Sequence, residues 1–113
     1  MNDGGSGVSA DSFKRQISQI IETVKAGNPL AEFIVIAPML ANPLAVQDGL
    51  QKQYLEPLNE LSSADVEVVN MTGVHEELLR HKSYQDMTGN NVNHPNDYLS
   101  RWYAQMICGI FIK

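Results

Sequence analysis

The chain has 113 residues, enough for one small domain, with 43% hydrophobic and 19% charged residues, which is the balance of a folded globular protein rather than a disordered one. Its formal net charge is −5 and its eight basic residues are scattered, so neither nucleic acid nor an anionic membrane surface is expected as a partner. One cysteine excludes an internal disulfide, and no apolar run approaches the roughly 20 residues of a membrane span.

In chain order, "MNDGGSGVSA" opens with a Gly-rich turn and none of the basic and apolar regions of a signal peptide. A helix is predicted over residues 10–26, capped by Ser9 or Asp11, because Phe13, Ile17, Ile20, Ile21 and Val24 recur at helical spacing. "GNP" at residues 27–29 stops it. "FIVIA", Phe33–Ala37, is a β-branched run apolar on both faces, as in a buried strand of a parallel sheet. A Pro-bounded loop follows. A second helix lies within residues 46–61, and Pro57 inside it implies a kink or a late start.

"VEVVN", Val66–Asn70, is the second predicted strand, and "TGVHEELLRHK", Thr72–Lys82, a short helix. A polar loop of about ten residues then leads to a helix from Pro95 to about Ile110. Tyr98, Leu99, Trp102, Tyr103, Met106, Ile107 and Ile110 give that helix a broad apolar face, with helical spacing that predicts packing more than a sugar-binding surface. Cys108, within "AQMICGIFIK", is expected to be a small buried apolar residue. The order helix, strand, helix, strand, helix predicts an α/β layered fold with parallel strands. Two strands are few for three amphipathic helices to cover, so strands from another chain or from a longer domain are expected.

Two short blocks carry chemistry. "MNDG" at residues 1–4 and "NHPND" at residues 93–97 resemble the third and fifth conserved blocks of the SGNH (GDSL-like) hydrolases. "AEFIVIAPMLANP" between them is similar to that family's fourth strand and its exit. The resemblance covers nearly the whole chain but only the C-terminal half of a family domain. It implies a three-layer α/β/α fold with a flavodoxin-like parallel sheet whose N-terminal strands are missing, so that residues 1–113 form the C-terminal portion of a single domain.

The activity it implies is a serine esterase or acyl hydrolase acting on a small ester, such as an acetyl group on a carbohydrate. His94 would be the base that takes the serine proton and returns it to the leaving alcohol, and Asn2 an oxyanion donor. The family has an aspartate three residues before that histidine; here the position is Asn91. An amide accepts the ring N–H but cannot stabilise the imidazolium by charge, so Asp86 in the same loop, or Asp97 in the first helical turn, is the other candidate to orient it. No Gly-Asp-Ser nucleophile motif occurs, and Ser6 in "GGSGV" lacks the second glycine of a nucleophile elbow. The chain alone is therefore expected to be inactive.

Plainer roles stand beside these. "NHPND" also reads as a helix start, with Asp97 complementing the helix dipole, and "NDGGSG" as a flexible turn. "HEELLRH" begins like a zinc-binding His-Glu-x-x-His helix, but Leu79 stands where the second histidine belongs, so neither a metal nor another cofactor is expected. The alternative to an esterase half is a non-catalytic α/β module that binds a partner, or self-associates, through an exposed sheet edge.

Overall fold

A computed structural model describes residues 1–112. The chain begins with a single turn of helix, α1 (Asn2–Gly5), and continues through α2 (Ala10–Gly27), β1 (Phe33–Ala37), a 3-10 turn (Gln51–Tyr54), α3 (Leu55–Asn59), β2 (Val66–Asn70), α4 (Met71–Leu78), α5 (Tyr84–Met87) and α6 (Asp97–Phe111). The strands pair in parallel with Val35 opposite Val68, so the protein is a mixed α/β structure built on a two-stranded sheet. No helix among the described residues is long and apolar enough to cross a membrane.

Local chemistry accounts for most boundaries. Ser9 caps α2 by accepting the Ser12 N–H at 3.2 Å, leaving Asp11 in the first turn, where it complements the dipole. The second predicted helix starts late: it runs as a 3-10 turn until Leu55, and Pro57 occupies the third helical position, where a missing N–H costs no intrahelical bond. Asn70 both ends β2 and caps α4, accepting Gly73 N–H at 2.7 Å. A side chain at Gly73 would stand 2.6 Å from the Asn70 amide, so this strand-to-helix joint requires glycine.

Three expectations need correction. The loop after Lys82 contains a further helical turn, α5, formed because Ser83 and Asp86 make a reciprocal capping box. Helix α6 begins at Asp97, capped by Asn96, rather than at Pro95, which is held extended in a β-bridge to Thr88. Cys108 is exposed, because it lies two residues, or about 200° of helical turn, from the inward-facing Met106.

Side chains alternate across the strands, and each face of the sheet supports its own apolar cluster. Ala37 packs with Tyr54 and Leu58, and against these lie Val35, Val68 and the α2 residues Ala10, Phe13 and Ile17. Phe13 stacks on Tyr54 with ring centroids 4.2 Å apart. On the other face Val69 joins Met39, Met71, Met87 and Leu99, with Ile36, Tyr98, Trp102, Tyr103, Met106 and Ile110 packed around them. Lys14 of α2 pairs with Glu60 after α3, and Lys25 with Asp65 before β2, which pins one flank of α2 over the β2 side of the sheet.

Candidate active site

Because the strands are parallel, the chain leaves both at the same end, through Pro38–Met39 and Met71. That carboxyl end is where open α/β sheets gather functional groups. Three hydrogen bonds tie its segments together. Thr72 donates its hydroxyl to the Pro38 carbonyl at 2.6 Å, Leu40 N–H donates to His75 Nδ1 at 3.0 Å, and Met39 N–H donates to the Tyr103 hydroxyl at 2.9 Å.

The loop that carries His94 is built on this end. Its two stems join through the Thr88–Pro95 bridge, Gly89 N–H donating to the His94 carbonyl at 2.9 Å and Asn96 N–H to the Met87 carbonyl at 3.0 Å. Inside the loop, the Asn90 side-chain oxygen accepts the N–H groups of Val92, Asn93 and His94, all within 3.1 Å. One side chain therefore replaces the backbone partners that a structureless Asn-rich loop would lack. Asn42, buried in the loop after β1, fastens the assembly to the sheet: its N–H donates to the Val92 carbonyl and its side-chain amide to the Asn91 carbonyl, each at 2.8 Å.

The His94 ring is exposed, and its Nδ1 is fully engaged. Nδ1 lies 2.6 Å from Asn93 Oδ1 and 2.8 Å from Asn90 Nδ2, two contacts that demand opposite tautomers. The shorter one is to an acceptor, so we assign the proton to Nδ1, donating to Asn93, with the Asn90 amide donating to the same oxygen at 3.1 Å. Nε2 is then an unprotonated lone pair facing solvent, which is the form a general base needs.

The other sequence-predicted residues are placed differently. Asn91 adopts a left-handed φ of 55°, and its backbone and side-chain oxygens point to the Asn42 amide, not to His94. Asp86 accepts Ser83 N–H and Ser83 Oγ–H, each at 2.8 Å, and these bonds hold its carboxyl below the usual carboxylate range; its side chain is spent on capping α5. Asp97 sits exposed in the first turn of α6. Asn2 lies in α1, whose carbonyls receive Gln51 Nε2–H (at Met1 O, 3.0 Å) and Leu50 N–H (at Gly4 O, 3.2 Å). Met1, directly before Asn2, packs against the apolar cluster that includes Met39, Met87 and Leu99, while Asn2 itself is exposed. Among the described residues no hydrogen bond joins Asn2 to His94.

Sequence reasoning missed Asn42, Asn90 and Asn93, each an amide in a stretch already marked by turn-forming residues. It also missed His75, a second histidine that is fully buried beneath the loop after β1. Burial pushes its ring down to a pKa of about 4 from 6.5, so it is neutral in the folded protein. Tyr98, Trp102 and Tyr103 pack against the core, and Tyr103 adds the bond to Met39. A cleft lined by residues 32–34, 63–67 and 109–111 lies at the opposite, amino end of the strands and contains none of these groups.

Neither the family models, nor the curated proteins, nor the solved structures yield a match to this chain.

Proposed function

We infer that this chain is the histidine-bearing half of a serine acyl hydrolase of SGNH type, acting on a small ester such as a carbohydrate-linked acetyl group. In this reading it forms the C-terminal part of a three-layer, flavodoxin-like domain. His94 Nε2 takes the proton of a seryl hydroxyl supplied by other residues and returns it to the leaving alcohol. The Asn2 side-chain amide donates to the tetrahedral oxyanion, an interaction typically worth about 2.7–4 kcal/mol.

The observation that carries this reading is at His94: Nδ1 lies 2.6 Å from the Asn93 side-chain oxygen, and a ring that donates there keeps Nε2 as its proton acceptor. The role of Asn2 draws on the packing of Met1, its neighbour, against the cluster that contains Met87, at the end of the helical turn before the His94 loop. With an amide rather than a carboxylate on Nδ1, the imidazolium lacks charge stabilisation, so turnover is expected to be modest.

The test is to follow p-nitrophenyl acetate hydrolysis by the chain alone and by the chain co-expressed with whatever its source gene encodes upstream. Hydrolysis that His94→Ala abolishes supports the proposal; a rate unchanged in that variant ends it. The alternative, a non-catalytic α/β module acting through a sheet edge, draws on the outer edges of β1 and β2, which are unpaired among the described residues. It predicts a stable folded chain with a binding partner and no hydrolysis in any combination.

A further inference from the structure

The sequence contains two Asp-Gly pairs, Asp3–Gly4 and Asp48–Gly49, and the fold treats them oppositely. An Asp-Gly pair is prone to one backbone reaction, because glycine has no side chain to keep its nitrogen from the preceding carboxyl group. The Asp3–Gly4 pair is held fast. Its peptide oxygen, the Asp3 carbonyl, accepts the N–H groups of Val8 at 2.9 Å and Ser6 at 3.2 Å. Gly4 is buried in α1, with the Gln51 side chain only 2.6 Å from where a Cβ would stand, so this peptide cannot turn without displacing its neighbour.

Asp48 lacks all of these restraints. It is exposed in the loop after β1, within the turn at residues 47–48. Its φ of 55° lies in the left-handed region, which suits glycine or asparagine and which an aspartate holds under strain. Among the described residues no hydrogen bond fixes its carbonyl. The next position must nevertheless be glycine, because a Cβ at Gly49 would stand 2.5 Å from Gln51 Oε1. Packing against Gln51 therefore keeps the most reactive neighbour beside the least restrained aspartate.

We propose that Asp48–Gly49 is a site of spontaneous isomerisation to isoaspartate, and that the change loosens α1. The Gly49 nitrogen attacks Asp48 Cγ: the N–Cγ bond forms, the Cγ–OH bond breaks, and the hydroxyl leaves as water with the proton from nitrogen. Solvent water then opens the cyclic imide at the former backbone carbonyl, which becomes a carboxylate, and the nitrogen regains its proton. One water leaves and one returns, so mass and net charge end unchanged. The chain now runs through Cγ and is one methylene longer. That added length falls between contacts that hold α1. Val46 lies against Gly5 on one side; on the other, Leu50 N–H donates to the Gly4 carbonyl at 3.2 Å and the Gln51 side chain to the Met1 carbonyl at 3.0 Å. The reaction uses neither His94 nor a seryl nucleophile, so it stands apart from the hydrolase reading.

The full chain is aged for weeks in mildly acidic buffer, digested, and its isoaspartyl peptides are mapped by mass spectrometry. Methyl transfer from S-adenosylmethionine by a protein isoaspartate methyltransferase counts the product. The expected result is at least about tenfold more isoaspartate at position 48 than at position 3, with the bias lost in denaturant. Asp48→Glu, at an exposed position, should abolish the signal, because the larger imide ring closes far more slowly. Asp48→Asn, which suits the left-handed backbone, should give the same product faster, with ammonia leaving in place of water. In the aged chain, amide exchange should quicken at Leu50 and stay unchanged at Val92. Equal product at the two pairs in the folded chain, product at Asp3 alone, or none at Asp48 would each overturn the proposal. Isoaspartate at position 48 with Leu50 exchanging as before would overturn its effect on α1.

Discussion

Asn42 and Asn91, 49 residues apart, are joined by a 2.8 Å hydrogen bond from the Asn42 side-chain amide to the Asn91 carbonyl. With the Asn42 N–H bonded to Val92, this gives the His94 loop two anchors on the segment leaving β1. Asn42 also accepts Leu44 N–H at 3.1 Å, so one buried amide shapes its own turn and holds a distant one. Replacing it by alanine leaves the Asn91 carbonyl without its side-chain partner and should cost about 1–3 kcal/mol. Chemical denaturation measures that loss, and faster amide exchange at Val92 would locate it in the loop.

Asn93 Oδ1, 2.6 Å from His94 Nδ1, is the acceptor that a proton on that ring nitrogen meets. General base catalysis contributes about 10²–10⁴-fold, and a ring free to take the wrong tautomer loses part of it. If the proposed hydrolase function holds, Asn93→Ala should lower kcat with little change in KM in the chain combined with a nucleophile-bearing segment, and Asn93→Asp should restore or exceed the original rate. A kcat indifferent to Asn93→Ala would show that the ring is oriented by another group.

His75 predicts an acid-sensitive fold. Its pKa is about 4 when folded against 6.5 as a free side chain, because burial disfavours the charged ring. As pH falls from 6.5 toward 4, the unfolded chain takes up a proton that the folded chain refuses. Stability is therefore complete above 6.5 and declines through that window, by about 3 kcal/mol in all. Asp86 acts lower: its depressed carboxyl pKa contributes stability that is present above 3.8 and lost below it. Denaturation midpoints measured between pH 7 and 4 should fall in the native chain, and His75→Leu should flatten that slope while losing the bond from Leu40 N–H.

Gly4 holds the Asn2 helix against Gln51. A methyl group at Gly4 would stand 2.6–2.8 Å from three atoms of the buried Gln51 side chain, which itself donates to the Met1 carbonyl. Gly4→Ala should therefore destabilise by about 1–3 kcal/mol through overpacking. If Asn2 serves the oxyanion, the same variant should also depress kcat in the completed enzyme. Thermal melting and steady-state kinetics on one preparation separate the two effects.

Much of the secondary structure was legible because its causes are short-range. The stripe from Phe13 to Val24, the Ser9 cap, the runs Phe33–Ala37 and Val66–Asn70, and the delay imposed by Pro57 all act within about a dozen residues. Errors arose where several residue types could serve one purpose. Pro95 suits a first helical position, yet its pairing with Thr88 and the cap from Asn96 moved the start of α6 to Asp97. Cys108 looked buried by its neighbours, but helical phase put it outside.

The order of elements, the parallel pair and the histidine ahead of Pro95 follow from the chain itself, because apolar period, capping chemistry and proline geometry are local. Which amide holds the His94 ring, and the burial of His75, were decided only in three dimensions. Asn91 was the obvious orienting residue by spacing, but its left-handed backbone turns it toward Asn42, and Asn93 takes the place beside Nδ1. Bonds between residues 35 to 64 positions apart, such as Leu40 to His75 and Met39 to Tyr103, have no signature in one dimension. Each becomes favourable only after the sheet and its helices have already paid the entropy of bringing those segments together.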